Sequence, residues 1–223
     1  MTEGSTACVT LLGGSYDPVH MGHVALGTHF SRLLHADELR VIPAGAPWQK
    51  SKLGATGQQR AEMASLAFAG LPLPVVIDRQ EIERSEHGQA SYTIDTLRQV
   101  RAELGARASI VFLMGADQLQ RLATWREWQQ LFEYAHICVA ARPGFALNDT
   151  AVPQVVADEF SRRLGSLDSI RNTPHGLTYL AQDFAVDISA TEIRAALQRG
   201  NRANSLVSPL VLDYIEQHNL YKS

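Results

Sequence analysis

Two imidazoles, His20 and His23, close the run Leu11-Leu-Gly-Gly-Ser-Tyr-Asp-Pro-Val-His-Met-Gly-His23. Across the start of a helix, residues at this spacing project to the same side, where ring N–H groups can donate to phosphoryl oxygens. Gly13 and Gly14 lack a Cβ, so the backbone there can take positive φ and approach a ligand closely. Pro18 stiffens the chain ahead of the histidines, and Gly22 lets a helix begin tight against its neighbours. The same H-x-x-H could instead be a plain turn carrying surface histidines. It could also give zinc two ligands, but a closed site needs about four and no Cys or carboxylate pattern nearby completes it.

A second candidate lies near the C-terminus, in Ile188-Ser-Ala-Thr-Glu-Ile-Arg194. This segment is expected to open a helix running to about Arg199, with Gly200 as the stop. Ser189 and Glu192 have the spacing of a capping box, which would make it an ordinary helix start. Arg194, however, puts a cation one turn into the helix, against the dipole unless an anion compensates. A phosphate would satisfy the free N–H groups, the hydroxyls of Ser189 and Thr191, and the guanidinium together. Two anion sites in one chain suggest a triphosphate.

The elements that would hold these motifs are legible around them. Ala7 to Leu12 is a short apolar run with β-branched residues, which predicts a buried strand. Val24, Leu26, Phe30, Leu33 and Leu34 then recur at helical spacing. Gly13 to His23 is therefore expected to be a strand-to-helix turn, whose N–H groups and helix dipole favour an anion. Further strand-like runs follow at Leu39 to Ile42, Val75 to Ile77, Ile110 to Met114 and Ile137 to Ala140. Helical patterns lie between them around Gln58 to Ala69, Thr93 to Leu104 and Trp125 to Tyr134. Such alternation predicts a doubly wound, Rossmann-like α/β fold, a parallel sheet flanked by helices, here with a small C-terminal helical region. Ligands bind such sheets outside the carboxyl ends of the strands, at the topological switch point.

The 223 residues are expected to form one domain over 1–223, with a helical insertion at about 145–176 that includes a helix around Gln154 to Leu164. A net charge of −3 provides no global attraction to nucleic acid or to an anionic membrane, so neither is expected as a partner. No apolar run is long enough to span a bilayer, and Met1 to Thr6 lacks the regions of a signal peptide. A cytoplasmic protein is expected, with Cys8 and Cys138 buried and reduced inside strands. The stretch Pro43 to Gly57 reads as a long loop bearing Trp48, Gln49, Lys50 and Lys52, either a functional loop or a solvated surface.

Gly13-Gly-Ser-Tyr-Asp-Pro-Val-His-Met-Gly-His23 resembles the G-G-T-F-D-P-x-H-x-G-H signature of the nucleotidyltransferase superfamily, and Ile188-Ser-Ala-Thr191 with Arg194 resembles its I-S-S-T-x-I-R signature. Three further segments are similar to bacterial nicotinate mononucleotide adenylyltransferases: Ser91-Tyr-Thr93, Gly115-Ala-Asp117 followed by Thr124-Trp125, and Arg142-Pro-Gly144. The resemblance runs from Val9 to Tyr221. It implies transfer of AMP from ATP to nicotinate mononucleotide, releasing nicotinate adenine dinucleotide and pyrophosphate, with Mg²⁺ carried on the ATP phosphates and not by protein side chains.

By that resemblance His20, His23 and Arg194 are catalytic contacts to the triphosphate. Ile188, Ser189 and Thr191 flank it, and Gly13, Gly14 and Ser15 offer main-chain donors. Gly115 and Asp117 suit the ribose of ATP, because a carboxylate accepts from hydroxyls; an ordinary Asp helix cap is the alternative. Tyr16, Tyr92, Thr93, Trp125, Arg126 and Arg142 fall to the pyridine mononucleotide. Trp125 would face the ring, although a Trp125 and Trp128 pair also fits core packing. Where many members carry a His before a basic residue, this chain has Trp48-Gln49-Lys50, leaving Lys50 to meet the acceptor phosphate. Acceptors such as nicotinamide mononucleotide or phosphopantetheine, and a nucleotide-sensing role without turnover, remain open alternatives.

Overall fold

The computed structural model describes residues 6–45, 53–141, 143–147, 151–184, 188–201, 203 and 205–222. Its centre is a six-stranded parallel sheet in the order β3-β2-β1-β4-β5-β6. The strands are β1 Cys8–Gly14, β2 Glu38–Pro43, β3 Val75–Ile77, β4 Ser109–Gly115, β5 His136–Ala140 and β6 Thr178–Ala181. The order in which successive strands are added reverses between β1 and β4, which pair in parallel from Cys8 opposite Ser109 to Leu12 opposite Leu113. The expected doubly wound architecture is therefore present, with its switch point beside the Gly13 to His23 run.

Alternation along the central strands feeds two apolar layers. Cys8 and Leu12 face one layer and Val9 and Leu11 the other, as the two-residue period of a strand requires. The first layer is covered by α1 Met21–Leu33, α2 Gly57–Phe68, α8 Ala190–Gln198 and α9 Pro209–Gln217. The second is covered by α4 Thr93–Leu104 and α6 Gln154–Arg162. Both cysteines are buried free thiols, and burial pushes the Cys8 and Cys138 pKa values up. No helix among the described residues is long and apolar enough to cross a membrane.

Two expectations are revised. The segment 145–176 is no peripheral insertion: it carries α6 and α7 Leu167–Asn172 and forms the crossover from β5 to β6, which pair in parallel. Its buried Val156, Phe160 and Ile170 make it part of the core. Between Trp125 and Tyr134 the chain forms a 3₁₀ turn, Trp128–Glu133, because Glu127 takes φ +51, which breaks α-helical continuity. The elements without a sequence expectation include the edge strand β6 and the short helix α3 Gln80–Glu86.

Candidate active site

The carboxyl ends of β1 and β4 open into a cavity of about 840 Å³. Its walls bring together both anion motifs, the segment after β4, and the starts of α3 and α4.

On the first wall, His20 is the N-cap of α1 in extended conformation and His23 lies in the first turn. The His20 main-chain N–H donates to His23 Nδ1 at 3.2 Å, and the rings stack with centroids 3.7 Å apart. Because Nδ1 accepts that bond, the proton of neutral His23 is assigned to Nε2. Both rings line the cavity. Two stacked imidazoles repel if both are charged, so an anion between them and solvent would favour the pair. Gly22 permits this packing: a Cβ there would lie 3.0 Å from His20 Nδ1 and 3.5 Å from Ile188 Cβ.

Gly13 and Gly14 serve differently from the expectation. Neither has positive φ; a Cβ on Gly14 would crowd the Tyr16 ring at 3.2 Å, whereas one on Gly13 would meet the Phe112 ring at an ordinary contact distance of 3.5 Å. The left-handed residue is Tyr16, with φ +49. Its side chain is fully buried and its hydroxyl donates to the Leu12 carbonyl at 2.6 Å. Tyr16 does not line the cavity, so a direct side-chain contact to substrate is corrected to a supporting one beneath His23, edge-on at 4.8 Å.

The neighbouring Asp17 ties distant segments to this turn. Its buried carboxylate accepts from the N–H groups of Gly54 and Ala55 at 2.8 and 3.1 Å and from the Tyr221 hydroxyl at 2.7 Å. Its main-chain carbonyl accepts from Arg194 Nη1 at 2.6 Å. The two motifs are thus in direct contact.

On the opposite wall, Ile188, Ser189 and Thr191 line the cavity. Ser189 occupies the N-cap position of α8, but its side chain makes no capping bond, so the capping-box expectation does not hold. Arg194 donates from Nη2 to Thr191 Oγ1 at 3.2 Å. It stands behind the cavity lining, linking Thr191 to the turn at Asp17, and Asp17 Oδ2 at 4.0 Å offsets part of its charge.

At the carboxyl end of β4, Gly115 is the N-cap of α5 Ala116–Leu119, and Asp117, exposed within the first turn, accepts from Gln118 Nε2 at 2.9 Å. A Cβ on Gly115 would come within 2.7 Å of Asp117 Oδ1. Glycine there leaves the carboxylate its position at the cavity wall.

The far end is aromatic and cationic. Tyr92, Thr93, Trp125 and Arg126 all line it, with the Arg126 guanidinium 4.8 Å from the centre of the Tyr92 ring. Trp125 meets Phe112 edge-on at 6.1 Å, and its Nε1 is buried without a hydrogen-bond partner. Trp128 packs against Phe132 and away from the cavity, which separates the two tryptophans as a spacing argument could not. Lys50, with Trp48 and Gln49, and Arg142 lie outside the described residues.

Sequence reasoning passed over Glu81, Thr96, Phe145 and Phe184, which also line the cavity. Burial raises the Glu81 pKa, against the bond from Thr96 Oγ1 at 2.7 Å. Glu81 reads in sequence as an unremarked charge, because α3 is not legible there. Phe184 follows β6, an element the sequence did not reveal.

A cytidylyltransferase-like family model matches residues 11–196. The chain is 62% identical over 218 residues to a curated protein of Herminiimonas arsenicoxydans named "Probable nicotinate-nucleotide adenylyltransferase", covering 98% of each. It is 40% identical to one of the same name from Laribacter hongkongensis, over 100% of this chain and 98% of the relative. Among solved structures, Plasmodium falciparum nicotinic acid mononucleotide adenylyltransferase complexed with NaAD aligns with TM-score 0.71 at 21% identity, over 96% of this chain and 97% of that one. The same enzyme complexed with APC aligns with TM-score 0.68 at 20% identity, again over 96% and 97%. At those identities the structures establish the shared fold, and the curated relatives establish more: this chain belongs to the nicotinate-nucleotide adenylyltransferase family.

Proposed function

We propose that the protein transfers the adenylyl group of ATP to nicotinate mononucleotide, giving nicotinate adenine dinucleotide and pyrophosphate. The observation that carries this reading is one cavity with two phosphate-binding walls at one end and Trp125, Tyr92 and Arg126 at the other. A triphosphate fits the first end and a flat, anionic pyridine ring the second. The family relatives bear that activity in their names, and the Plasmodium enzyme was solved with the dinucleotide product. ATP as co-substrate supports a cytoplasmic location.

The chemistry needs no side-chain nucleophile. An oxygen of the mononucleotide phosphate attacks the α-phosphorus of ATP, forming the new P–O bond as the bond to the β-phosphate oxygen breaks and pyrophosphate leaves. Catalysis then consists of aligning two anions and stabilising the charge that grows on the transferring phosphorus and the leaving group. His20 and His23 donate at the triphosphate from one wall. Ser189, Thr191 and the α8 N-terminus donate from the other, with Arg194 supplying positive charge behind Thr191. Lys50 is assigned to the acceptor phosphate. These donors suit phosphoryl oxygen, whereas Mg²⁺ takes hard oxygen ligands and keeps its waters. Mg²⁺ would be held by the triphosphate oxygens and lower the charge the attacking phosphate meets.

Initial rates of pyrophosphate release with nicotinate mononucleotide, nicotinamide mononucleotide and phosphopantetheine, each with ATP and Mg²⁺, test the acceptor assignment. The acid mononucleotide is expected to give the highest kcat/KM; preference for the amide or for phosphopantetheine would overturn it.

A further inference from the structure

Arg60, on α2, is the largest of the fully buried side chains, 1% exposed. Its two terminal nitrogens meet main-chain carbonyls, Nη1 donating to Ser15 O at 2.8 Å and Nη2 to Gly45 O at 3.1 Å, while Nε is buried without a partner. Ser15 belongs to the histidine-bearing turn and lines the cavity, while Gly45 follows β2 next to Ala44, which also lines it. In sequence Gly45 leads directly into the segment that contains Lys50.

Gly45 is held from its other side as well. Its N–H bonds the Glu81 carboxylate, and a Cβ would sit 1.9 Å from the Glu81 carbonyl oxygen, so no larger residue fits without moving the backbone. One residue earlier, the Ala44 N–H donates to the Gly14 carbonyl at 2.8 Å. The turns after β1 and β2 are therefore joined by a ladder bond and by a guanidinium whose planar fork reaches one carbonyl on each.

Burying a guanidinium is costly, and an apolar side chain of similar volume would fill the same space without that cost. A two-pronged donor has a use an apolar residue lacks: it sets the separation and tilt of two peptide planes. Misplacement by about 1 Å of groups that must meet in line can cost ~10²-fold in rate. From this geometry we infer that Arg60 is a positioning residue for adenylyl transfer, holding the triphosphate turn and the start of the acceptor loop in one register. The inference rests on the proposed reaction.

The test compares full-length wild type and Arg60→Lys, because an ammonium keeps the charge but cannot span both carbonyls as a fork does. At temperatures well below unfolding, kcat should fall by ~10- to 100-fold while both KM values stay within about threefold, since each substrate still meets its own wall. Hydrogen exchange should quicken in peptides covering Gly14–Asp17 and Pro43–Gly45 but not in α4. A kcat within about twofold of wild type overturns the inference, as does exchange that quickens uniformly. If Arg60→Lys does not fold, Gly45→Ala disturbs the same bridge from the other side and should give the same split; unchanged kcat there also overturns it. Wild type that turns over no acceptor counts against the reaction alone, and the exchange pattern still decides the role of Arg60.

Discussion

The Arg194 guanidinium donates to the main-chain carbonyl of Asp17 at 2.6 Å, joining the second signature to the first across 177 positions of sequence. Through Thr191 Oγ1 at 3.2 Å the same side chain also reaches the opposite cavity wall. The two cavity walls are thus one assembly, and a change at either end should be felt at both.

His23→Ala is expected to lower kcat by on the order of 10²-fold, the usual cost of losing one contact to developing phosphoryl charge, and Arg194→Ala by a similar factor, because it removes the positive charge behind Thr191 and the tie to Asp17 O together. Arg194→Lys should recover only part of the loss, because one ammonium cannot replace a fork bonded to Asp17 O and Thr191 Oγ1. Steady-state kinetics alongside a folding check by circular dichroism decides this; near-normal kcat in either alanine variant would remove that residue from the catalytic set.

Trp125→Ala should act on the acceptor alone. Its ring lines the cavity end away from the phosphate motifs, and removing such an aromatic face is worth about 1 kcal/mol or more. The KM for nicotinate mononucleotide is expected to rise by roughly tenfold with the KM for ATP unchanged, since about 1.4 kcal/mol is a tenfold change. A rise shared equally by both substrates would place Trp125 in the core and not in the site.

Much of this site was legible in sequence because its signals are local. The strand, the turn of Gly, Asp and Pro, and the helix that follows all lie between Cys8 and Leu33, so periodicity and turn chemistry alone located the switch-point site. What stayed hidden depends on contacts far along the chain. Tyr16 reads as a loop aromatic open to substrate, yet its hydroxyl turns back to Leu12. Asp17 reads as a turn former, yet it gathers Gly54, Ala55 and Tyr221. Arg60 lies in the helical pattern around Gln58 to Ala69 with nothing local to mark it, yet it is buried under two turns. β6 escaped notice because Thr178-Tyr-Leu-Ala is short and of mixed polarity, and only its pairing with β5 makes it a strand.

Stability should depend on the Tyr221 hydroxyl, which donates to Asp17 Oδ1 at 2.7 Å in a buried setting. Burial and the adjacent carboxylate push the Tyr221 pKa well up, so it remains a donor throughout the working range. Tyr221→Phe leaves a carboxylate one partner short and is expected to cost about 1.5–3 kcal/mol, as hydrogen bonds to charged groups do. Urea denaturation measures it, and a loss under about 0.5 kcal/mol, the scatter of ordinary surface substitutions, would show the bond to be idle.

A pH dependence should arise at His136, far from the cavity at the amino end of β5. Burial lowers its pKa from 6.5 to about 4, and the ring is fixed neutral, Nδ1 accepting from the Leu177 N–H at 3.0 Å and Nε2 facing the Thr173 carbonyl at 2.8 Å. Above the unfolded value neither state binds the proton and His136 costs nothing. As pH falls towards the folded value only the unfolded chain takes it up, so stability drops by on the order of 3 kcal/mol. Denaturation midpoints measured from neutral pH downward should fall over that window, and His136→Gln should flatten this part of the profile. An equal slope in the variant would assign the loss to other groups.

Adenylyl transfer itself is tested most directly by incubating the protein with ATP, Mg²⁺ and nicotinate mononucleotide and separating the products by chromatography. Nicotinate adenine dinucleotide and pyrophosphate are expected to accumulate in equal amounts, with ATP consumed to match. ATP that is bound but not consumed, or consumed to ADP and phosphate without dinucleotide, would contradict adenylyl transfer.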